Sequence, residues 1–334
     1  MTELKWGVLG LSNHFKLRIA APLSRNEKNR FTALASRHIS RAKSAAMTFG
    51  YPKAYGSYQE LLEDKEIQAV YIPLPNNCHL EWIKKAAKAG KHILCEKPLT
   101  LNSEETRKAF QIAEENGVYL MEAFMFQFHP LWLKVKELIA IGEIGKLRGV
   151  HTFFTYNNTN PENIRNKLEL GGGAIRDIGC YGIASTNFIT PTLPKRIMST
   201  VLTDPDFGTD KLSSFTLDYG DFQAMCTVST QTWSSQSVKI LGTGGIIEIP
   251  IPFNIFPDVP AEILIKNGVG ERVISTGPAD VYACQFDTFA QAVESKDDHF
   301  FKVRKKFSIE NQIIMDTIFK SASENGWVLP HFNS

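Results

Sequence analysis

The stretch His92-Ile93-Leu94-Cys95-Glu96-Lys97-Pro98 indicates how the first part of this chain folds. Its apolar residues, bounded by Gly90 and Pro98, predict a short buried strand. The charged pair Glu96-Lys97 follows that strand, and open α/β sheets bind their ligands at the carboxyl ends of strands. Pro98 fixes one φ angle and removes a donor, so the turn is stiff. A strand that ends in a solvated ion pair is the alternative, and these seven residues alone do not choose between the two.

Strands and helices alternate on both sides of this stretch. Strands are predicted at 5–10, 31–36, 69–74 and 91–95, with a further one, counted as the sixth, at 118–121. Helices are predicted at about 11–24, 58–64, 78–89 and 103–115. Units of this βα type, six in about 120 residues, fit an N-terminal Rossmann domain with a doubly wound parallel sheet.

The pattern changes after Glu122. An aromatic-rich segment at 123–130 and a helix at 131–141 lead into long alternating segments. These segments, at 147–156, 199–203, 212–217, 223–231 and 238–241, predict an antiparallel sheet. Helices at 282–294 and 308–323 are predicted to close the chain. We therefore expect an α/β protein with two domains, 1–122 and 123–334, the second being an α+β domain with a large, mainly antiparallel sheet.

Composition limits the class of protein. The chain has 334 residues, which is long for one hydrophobic core. Lys and Arg number 37 against 35 Asp and Glu, so a nucleic-acid-binding or polybasic membrane surface is not expected. The start, Met1–Lys5, lacks the apolar core of a signal peptide, and no uncharged apolar run is long enough to span a membrane. The 5 cysteines are scattered without a Cys-x-x-Cys pair, which predicts reduced thiols in a cytoplasmic protein and no metal site.

The turn after the first strand is a candidate nucleotide site. It reads Gly10-Leu11-Ser12-Asn13, at the place where a dinucleotide-binding fold carries its glycine-rich turn. Ser12 stands at the second glycine position and is small enough to let a pyrophosphate approach the backbone. Phe15 stands at the third position and cannot give the closest packing of helix on strand. An ordinary βα turn explains these residues about as well.

The end of the second strand bears on the choice of cofactor. An NAD site carries Asp or Glu there to hold the ribose hydroxyls, whereas this chain has Ser36-Arg37, with Arg41 one helical turn on. A hydroxyl and a guanidinium suit a 2′-phosphate, so NADP is favoured over NAD. His79 could touch the ribose, or it could cap and pack its own helix.

A second unusual stretch is Leu170-Gly171-Gly172-Gly173-Ala174-Ile175-Arg176-Asp177-Ile178-Gly179-Cys180-Tyr181. Its glycines allow close backbone approach or positive φ before a helix. Asp177 and Tyr181 are four residues apart and share a face of that helix. A carboxylate beside a phenol is a candidate proton-handling pair, and a buried tyrosine bonded to a helix aspartate is the structural alternative.

These motifs together resemble the glucose–fructose oxidoreductase, inositol dehydrogenase and rhizopine-catabolism (Gfo/Idh/MocA) family, over the whole chain. Glu96-Lys97-Pro98 is similar to the family signature, and the glycines with Asp177 and Tyr181 are similar to its second motif. Within the family, the NADP-dependent dihydrodiol and D-xylose dehydrogenases look most similar, on segments 121–125 and 177–181. The chain departs from the family pattern at Ser12 and Phe15 and at Phe126-Gln127.

The resemblance implies hydride transfer between nicotinamide C4 and a carbinol carbon of a sugar, polyol or trans-diol. Tyr181 would take or give the hydroxyl proton, and the Lys97 ammonium would lower the phenol pKa from its ordinary value near ~10. Asp177 would bind a neighbouring substrate hydroxyl, and Glu96 would orient Lys97. The Lys97–Pro98 bond is expected to be cis. The candidate cofactor contacts are Gly10, Leu11, Ser12, Asn13, Ser36, Arg37, Arg41, Leu74, Asn76, His79, Glu96 and Lys97.

The resemblance also assigns the two domains. Domain 1–122 would bind NAD(P), and domain 123–334 would bind substrate and form a homodimer through its sheet. Both faces of the strand at 151–156 carry aromatic residues, so the uncovered face of the sheet would meet a partner. The candidate substrate pocket consists of Phe126, Arg165, Asp177, Tyr181, Trp233 and Tyr282.

Two alternatives stay open at this stage. A nucleotide-sugar keto-reductase would use the same machinery but would need a groove for a diphosphate, and the sequence has no basic cluster that indicates one. A non-catalytic nucleotide-binding regulator could dispense with the lysine or with the proton donor. Because the chain keeps Lys97, Asp177 and Tyr181 together, the enzyme interpretation is favoured over the regulator.

Replacing Arg37 tests the cofactor prediction. In Arg37→Ala, the preference for NADP over NAD should fall by about 1.5–3 kcal/mol, the size of a hydrogen bond to a charged group. The ratio of kcat/KM values for the two cofactors measures this preference. An unchanged ratio would show that the Arg37 side chain does not contact the 2′-phosphate.

Overall fold

A computed structural model describes residues 3–23 and 29–332. The chain divides into two compact units, Met1–Met125 with Tyr282–Ile309, and Phe126–Val281 with Glu310–Ser334. Residues 282–309 therefore belong with the N-terminal part of the chain. No local sequence pattern indicates this return, because it depends on contacts between residues far apart in the sequence.

The first unit contains a six-stranded sheet. Its strands are β1 (Leu4–Leu9), β2 (Asn29–Ala35), β3 (Lys53–Tyr55), β4 (Ala69–Ile72), β5 (His92–Glu96) and β6 (Leu120–Ala123). They are all parallel, in the order β3-β2-β1-β4-β5-β6. This is the order of a doubly wound dinucleotide-binding sheet and confirms the predicted Rossmann fold. β3 is a strand that the sequence pattern did not reveal, because it has three half-buried residues at the sheet edge.

Helices connect these strands. They are α1 (Ala20–Leu23), α2 (Ile39–Phe49), α3 (Tyr58–Glu63), α4 (His79–Lys88) and α5 (Ser103–Glu115). The helical segment after β1 opens with a π-helical turn, Phe15–Ile19. Phe15 is fully buried, and its ring packs against those of Phe49, Tyr51 and Tyr71. The bulky residue at the third glycine position is thus accommodated within an aromatic cluster.

The second unit contains an eight-stranded sheet, together with helices α6 (Pro130–Ala140) and α7 (Cys180–Ile189). Its strands are β7 (Leu147–Asn157), β8 (Arg196–Thr203), β9 (Asp210–Asp218), β10 (Gln223–Ser229), β11 (Gln231–Gly242), β12 (Gly245–Ile249), β13 (Ala261–Asn267) and β14 (Gly270–Thr276). The order is β14-β13-β12-β11-β7-β10-β9-β8, antiparallel except for the parallel pair β10 and β7. The mainly antiparallel sheet is confirmed. The strands β12, β13 and β14 were not predicted from the sequence. β14 is mostly exposed and so lacks a clear alternation.

The two faces of this sheet differ in what they meet. Along β7, Thr152 and Phe154 are buried, whereas His151 and Phe153 on the other face are exposed. α7 lies close against the buried face, since a Cβ at Gly182 would overlap Cys226 of β10. A glycine is needed there because backbone and sheet approach so closely.

Helices α8 (Val281–Glu294) and α9 (Asp298–Glu324) follow the second sheet. α9 begins well before position 308, where the sequence analysis expected it. Phe286 of α8 is fully buried in the first unit, with its ring centroid 4.9 Å from that of Trp6 and 5.3 Å from those of Phe31 and Tyr71. This aromatic cluster explains why residues 282–309 join the parallel sheet.

A polar chain supports the same junction. The Trp6 indole donates to Asn29 Oδ1 at 2.8 Å, and the Asn29 amide donates to Asp287 Oδ1 of α8 at 2.7 Å. Trp6 and Asn29 are both buried, so each bond satisfies a group that water cannot reach.

Within the described residues, no helix combines the length and the apolar character that crossing a membrane requires.

Removing the Phe286 ring should destabilise the first unit. We expect Phe286→Ala to lower the free energy of unfolding by about 3–5 kcal/mol, through lost burial and an uncollapsed cavity. Urea denaturation measures the change. The control is Phe256→Ala, where the side chain is 54% exposed and the effect should stay within about 0.5 kcal/mol. A loss no larger than the control's would contradict the anchoring role of Phe286.

Candidate active site

In the first unit, the turn after β1 has a backbone conformation that requires glycine at position 10. Gly10 has φ +115°, and its N–H donates to the Ala35 carbonyl at 3.0 Å. A Cβ at Gly10 would lie 2.8 Å from the Leu74 side chain and 3.5 Å from the Tyr58 hydroxyl. Only glycine suits both the conformation and the space.

The rest of this turn is held by Ser12. Its hydroxyl oxygen accepts the Phe15 N–H at 3.0 Å, so Ser12 caps the π-helical turn. Leu11 is half-buried and Asn13 exposed at the same turn. The next residue, His14, lies 3.8 Å from a Glu96 carboxylate oxygen through Nε2. The turn after β1 and the end of β5 are therefore neighbours.

The predicted 2′-phosphate residues lie beyond β2. Ser36 is buried, and Arg37 and Arg41 are exposed. Burial raises the pKa of the Tyr58 phenol, and the positive charges of Arg37 and Arg41 act against that increase. Tyr58 therefore lies within electrostatic reach of both arginines. No sequence pattern indicated Tyr58, which locally is an ordinary residue at the start of a helix.

His79 has a different environment from the one that a ribose contact requires. The side chain is fully buried. Its Nδ1 lies 3.0 Å from the Pro98 carbonyl oxygen and its Nε2 lies 2.8 Å from the Leu74 carbonyl oxygen. The ring therefore joins the loop after β4, where Asn76 is half-buried, to the turn after β5. These contacts match the packing alternative for His79.

The turn Glu96-Lys97-Pro98 is held through the glutamate. Glu96 is the last residue of β5, and its Oε1 accepts the buried Tyr71 hydroxyl at 2.5 Å. The other carboxylate oxygen accepts the Lys97 N–H at 3.3 Å. The Lys97–Pro98 bond is cis, as the family resemblance implies. Lys97 is half-buried at the carboxyl edge of the sheet.

Glu122 of β6 is a buried acid that the sequence analysis did not single out. Its Oε1 accepts the Leu99 N–H at 2.8 Å, directly after the Lys97-Pro98 turn. Burial raises the pKa of Glu122 to about 7, and the nearby Glu96 carboxylate acts in the same direction. Its position inside the apolar segment Met121-Glu122-Ala123 was the one signal that could have revealed it.

In the second unit, Asp177 is the centre of a polar cluster. Its Oδ2 accepts the Tyr156 hydroxyl at 2.6 Å and the Arg165 Nε–H at 2.8 Å. The Asp177 carboxylate raises the pKa of Arg165, and burial raises the pKa of Tyr156, so both donors keep their protons at neutral pH. Two donors on one oxygen stabilise the ionised form of Asp177. Tyr156 was not among the predicted site residues.

The glycines before Asp177 allow this cluster to form. A Cβ at Gly172 would overlap the Arg165 carbonyl, and Gly173 has φ +116°. The N–H of Gly173 donates to the Arg165 carbonyl at 2.9 Å. The glycine motif thus brings the Arg165 segment against the helical run, which begins with a π-helical turn at Ile175–Gly179 and continues as α7.

Tyr181 lies on that helical run, in the first turn of α7. Its ring packs against Phe154, Phe253 and Phe126 with centroids 5.7, 4.9 and 6.1 Å away. Its hydroxyl lies within electrostatic reach of the Arg165 guanidinium. Phe126, predicted to line the pocket, is fully buried and supports the Tyr181 ring from the core.

The two remaining pocket candidates are Trp233 and Tyr282. Trp233 is 89% exposed, in an irregular part of β11, and its carbonyl accepts the Thr155 hydroxyl at 2.6 Å. Tyr282 belongs to the first unit, where its ring centroid is 5.4 Å from that of His14. Arg165, Asp177 and Tyr181 are therefore the pocket candidates that the second unit brings together.

No group of three or more His, Cys, Asp or Glu side chains could hold a metal ion in the described part of the chain.

Glu122 should make stability depend on pH. Its folded pKa of about 7 lies above the ordinary 4.5, so its contribution is fully present below pH 4.5 and is lost as pH rises through 7. Relative to Glu122→Gln, the wild type should therefore lose about 3 kcal/mol of unfolding free energy between pH 4.5 and 8. Urea denaturation at both pH values measures the difference. Glu63 is exposed, so for the control Glu63→Gln the difference in unfolding free energy from the wild type should be nearly the same at both pH values. If that difference does not change with pH for Glu122→Gln either, the raised pKa of Glu122 is contradicted.

Comparison with known proteins places both units. Residues 4–124 match the oxidoreductase family with an NAD-binding Rossmann fold (GFO_IDH_MocA), and residues 132–248 match the GFO/IDH/MocA C-terminal domain. D-xylose 1-dehydrogenase (NADP(+)) 2 of Haloferax volcanii is 36% identical over 96% of this chain and 97% of its own. Trans-1,2-dihydrobenzene-1,2-diol dehydrogenase of Xenopus laevis is 32% identical over 74% of this chain and 75% of its own length. The crystal structure of KijD10, a 3-ketoreductase from Actinomadura kijaniata in complex with NADP and TDP-benzene, superposes with a TM-score of 0.89 at 28% identity, covering 96% of this chain and 98% of that one. The chain therefore belongs to the GFO/IDH/MocA oxidoreductase family.

Proposed function

We propose that this protein is an NADP-dependent dehydrogenase that acts on a CH–OH group of a sugar, polyol or trans-diol. One observation carries the proposal: the Haloferax relative, named as an NADP-dependent D-xylose dehydrogenase, matches nearly the whole chain. The position of Lys97 supports it, because the carboxyl edge of a doubly wound sheet is where such folds bind their ligands.

The residues after β1 and β2 fit a dinucleotide phosphate. Gly10 has a positive φ, and Leu74 fills the space that a Cβ would need, so the tight turn requires glycine as a dinucleotide-binding turn does. Ser36, Arg37 and Arg41 replace the acidic residue of an NAD site by a hydroxyl and two guanidinium groups. We assign the pyrophosphate to the turn at 10–13 and the 2′-phosphate to the two arginines. When bound, NADP supplies the hydride chemistry, and the protein supplies orientation and proton handling.

Each proposed catalytic residue has a separate role. Tyr181 gives or takes the proton of the reacting hydroxyl, and the Lys97 ammonium stabilises negative charge on oxygen. Asp177, held ionised by Tyr156 and Arg165, accepts a hydrogen bond from a second substrate hydroxyl. Glu96, fixed by the Tyr71 hydroxyl, orients the turn that carries Lys97. The first unit thus binds the cofactor, and the second unit binds the substrate.

We further infer a homodimer formed through the second sheet. The sheet face that carries His151 also carries Phe153, Met198 and Met225, which are 40%, 39% and 48% exposed. Apolar side chains on one face of a broad sheet fit burial against a second copy. Light scattering coupled to size-exclusion chromatography tests the dimer, and Phe153→Asp should shift it toward monomer.

A cytoplasmic location is part of the proposal. All five cysteines are free thiols, and Cys95, Cys180 and Cys226 are buried. Free thiols in this number suit a reducing compartment.

A nucleotide-sugar keto-reductase is the second candidate. The observation that favours it is the similarity to the 3-ketoreductase that was crystallised with TDP-benzene. A substrate panel with NADP⁺ and NADPH separates the candidates. Oxidation of D-xylose, D-glucose or a cyclic trans-diol supports the main proposal, and reduction of nucleotide sugars alone supports the second candidate.

Two substitutions test the catalytic assignment. Lys97→Met should abolish turnover with an unchanged melting temperature. Tyr181→Phe should lower kcat by roughly 10²–10⁴-fold, the usual contribution of a positioned acid or base, with little change in NADP binding. Initial rates, circular-dichroism melts and cofactor fluorescence titration give the three readouts. Lys88→Met, at the exposed end of α4, is the control and should keep full activity. Full activity in Lys97→Met or Tyr181→Phe would remove that residue from the mechanism.

A further inference from the structure

A buried carboxylate, Asp210, lies at the start of the helical run that carries Asp177 and Tyr181. Asp210 is the first residue of β9 and is 6% exposed. Its Oδ2 accepts the Ile175 N–H at 2.7 Å and the Ser213 hydroxyl at 3.2 Å. The strand therefore supplies a cap to a helical run that follows the glycine motif.

The other carboxylate oxygen occupies the space above Gly173. A Cβ at Gly173 would overlap Asp210 Oδ1, so the close approach of the aspartate requires a glycine at position 173. The positive φ of Gly173 and the close approach of Asp210 both exclude a side chain at this position. Asp210 thus holds the backbone conformation at Gly173 as well as the N–H of Ile175.

Gly173 is connected by its backbone to both partners of the Asp177 ion pair. Its N–H donates to the Arg165 carbonyl at 2.9 Å, and its carbonyl accepts the Asp177 N–H at 3.1 Å. The Arg165 and Asp177 side chains then meet at 2.8 Å. A shift at Gly173 would displace the backbones of both Arg165 and Asp177, and so would disturb the bond between their side chains.

Burial opposes the ionised form of Asp210, and its neighbours favour that form. Burial raises the pKa of Asp210 to about 6, while the Ile175 N–H, the Ser213 hydroxyl and the Arg176 guanidinium favour the ionised form. Tyr156 of β7 also lies within electrostatic reach of Asp210. A carboxylate that is buried against its solvation preference is more typical of a functional region than of an ordinary helix cap.

We propose that Asp210 is a positioning residue for Asp177, because it fixes Gly173 and Ile175 and thereby the geometry of the Asp177–Arg165–Tyr156 cluster. This inference rests on the proposed role of Asp177 in binding the substrate. Asp210 acts through the backbone of the helical run and need not touch the substrate itself.

Paired variants test the proposal. Asp210→Ala removes the acceptor and should lower kcat with D-xylose and NADP⁺ by roughly 10²-fold, the cost of a misplacement of about 1 Å. The dissociation constant of NADP should stay within twofold. Asp210→Asn keeps an acceptor oxygen and should restore kcat to within about fivefold of the wild type, as a conservative replacement of a hydrogen-bond acceptor. Hydrogen–deuterium exchange should accelerate over residues 173–181 in the alanine variant and stay near wild type in the asparagine variant.

Asp218 provides a matched control. It is 8% exposed, lies at the opposite end of β9 from Asp210, and accepts the Arg196 Nε–H at 2.7 Å and the Gly220 N–H at 2.9 Å. Asp218→Ala should leave exchange over residues 173–181 unchanged and should not reproduce the loss of kcat.

Three results would overturn the proposal. They are unchanged exchange over residues 173–181 in Asp210→Ala, a kcat that matches the Asp218→Ala control, or an asparagine variant as impaired as the alanine variant. The exchange measurement needs no turnover. If the wild type oxidises no substrate of the panel, the proposed function fails, while exchange still decides whether Asp210 holds the helical run.

Discussion

One carboxylate oxygen, Oδ2 of Asp177, accepts hydrogen bonds from Tyr156 and Arg165 at once, and the geometry of the polar cluster in the second unit depends on it. The three residues come from a strand, a loop and a helical run, so no short stretch of chain contains the cluster. The Arg165 guanidinium balances the carboxylate, and burial keeps the Tyr156 phenol protonated as a donor. The result is a carboxylate whose charge and direction are fixed, which fits its proposed role in binding a substrate hydroxyl.

In the first unit, hydrogen bonds from several side chains hold the turn that carries Lys97 at the sheet edge. Lys97 follows a strand whose last residue, Glu96, is fixed by the buried Tyr71 hydroxyl, and His79 joins the neighbouring loop to the same turn. Glu122 accepts the N–H that follows the turn. Buried ionisable groups are costly, and folds retain them mainly where they orient other groups. The turn that carries Lys97 is therefore rigid because side chains from three other segments bond to it.

Short-range patterns were sufficient for the elements and motifs. Apolar runs bounded by glycine and proline predicted the strands at 5–10 and 91–95, which are observed as β1 and β5. Spacing alone placed Asp177 and Tyr181 on one helical run. Edge strands such as β3 and β14 were not predicted, because a short or exposed strand has no alternation of buried and exposed residues. Phe126 was interpreted as a pocket residue, but its ring is in the core, since an aromatic segment does not show which of its rings face a cavity.

The sequence by itself determined the family, the two sheet types and the residues proposed to carry the chemistry, because these depend on residue identity and local spacing. Only the tertiary structure decided which groups support them: Tyr156 and Asp210 beside Asp177, Tyr71 and Glu122 around the Lys97 turn. It also decided that residues 282–309 pack with the first unit. The physical reason is that these contacts join residues tens to hundreds of positions apart, where neither periodicity nor motif spacing carries information.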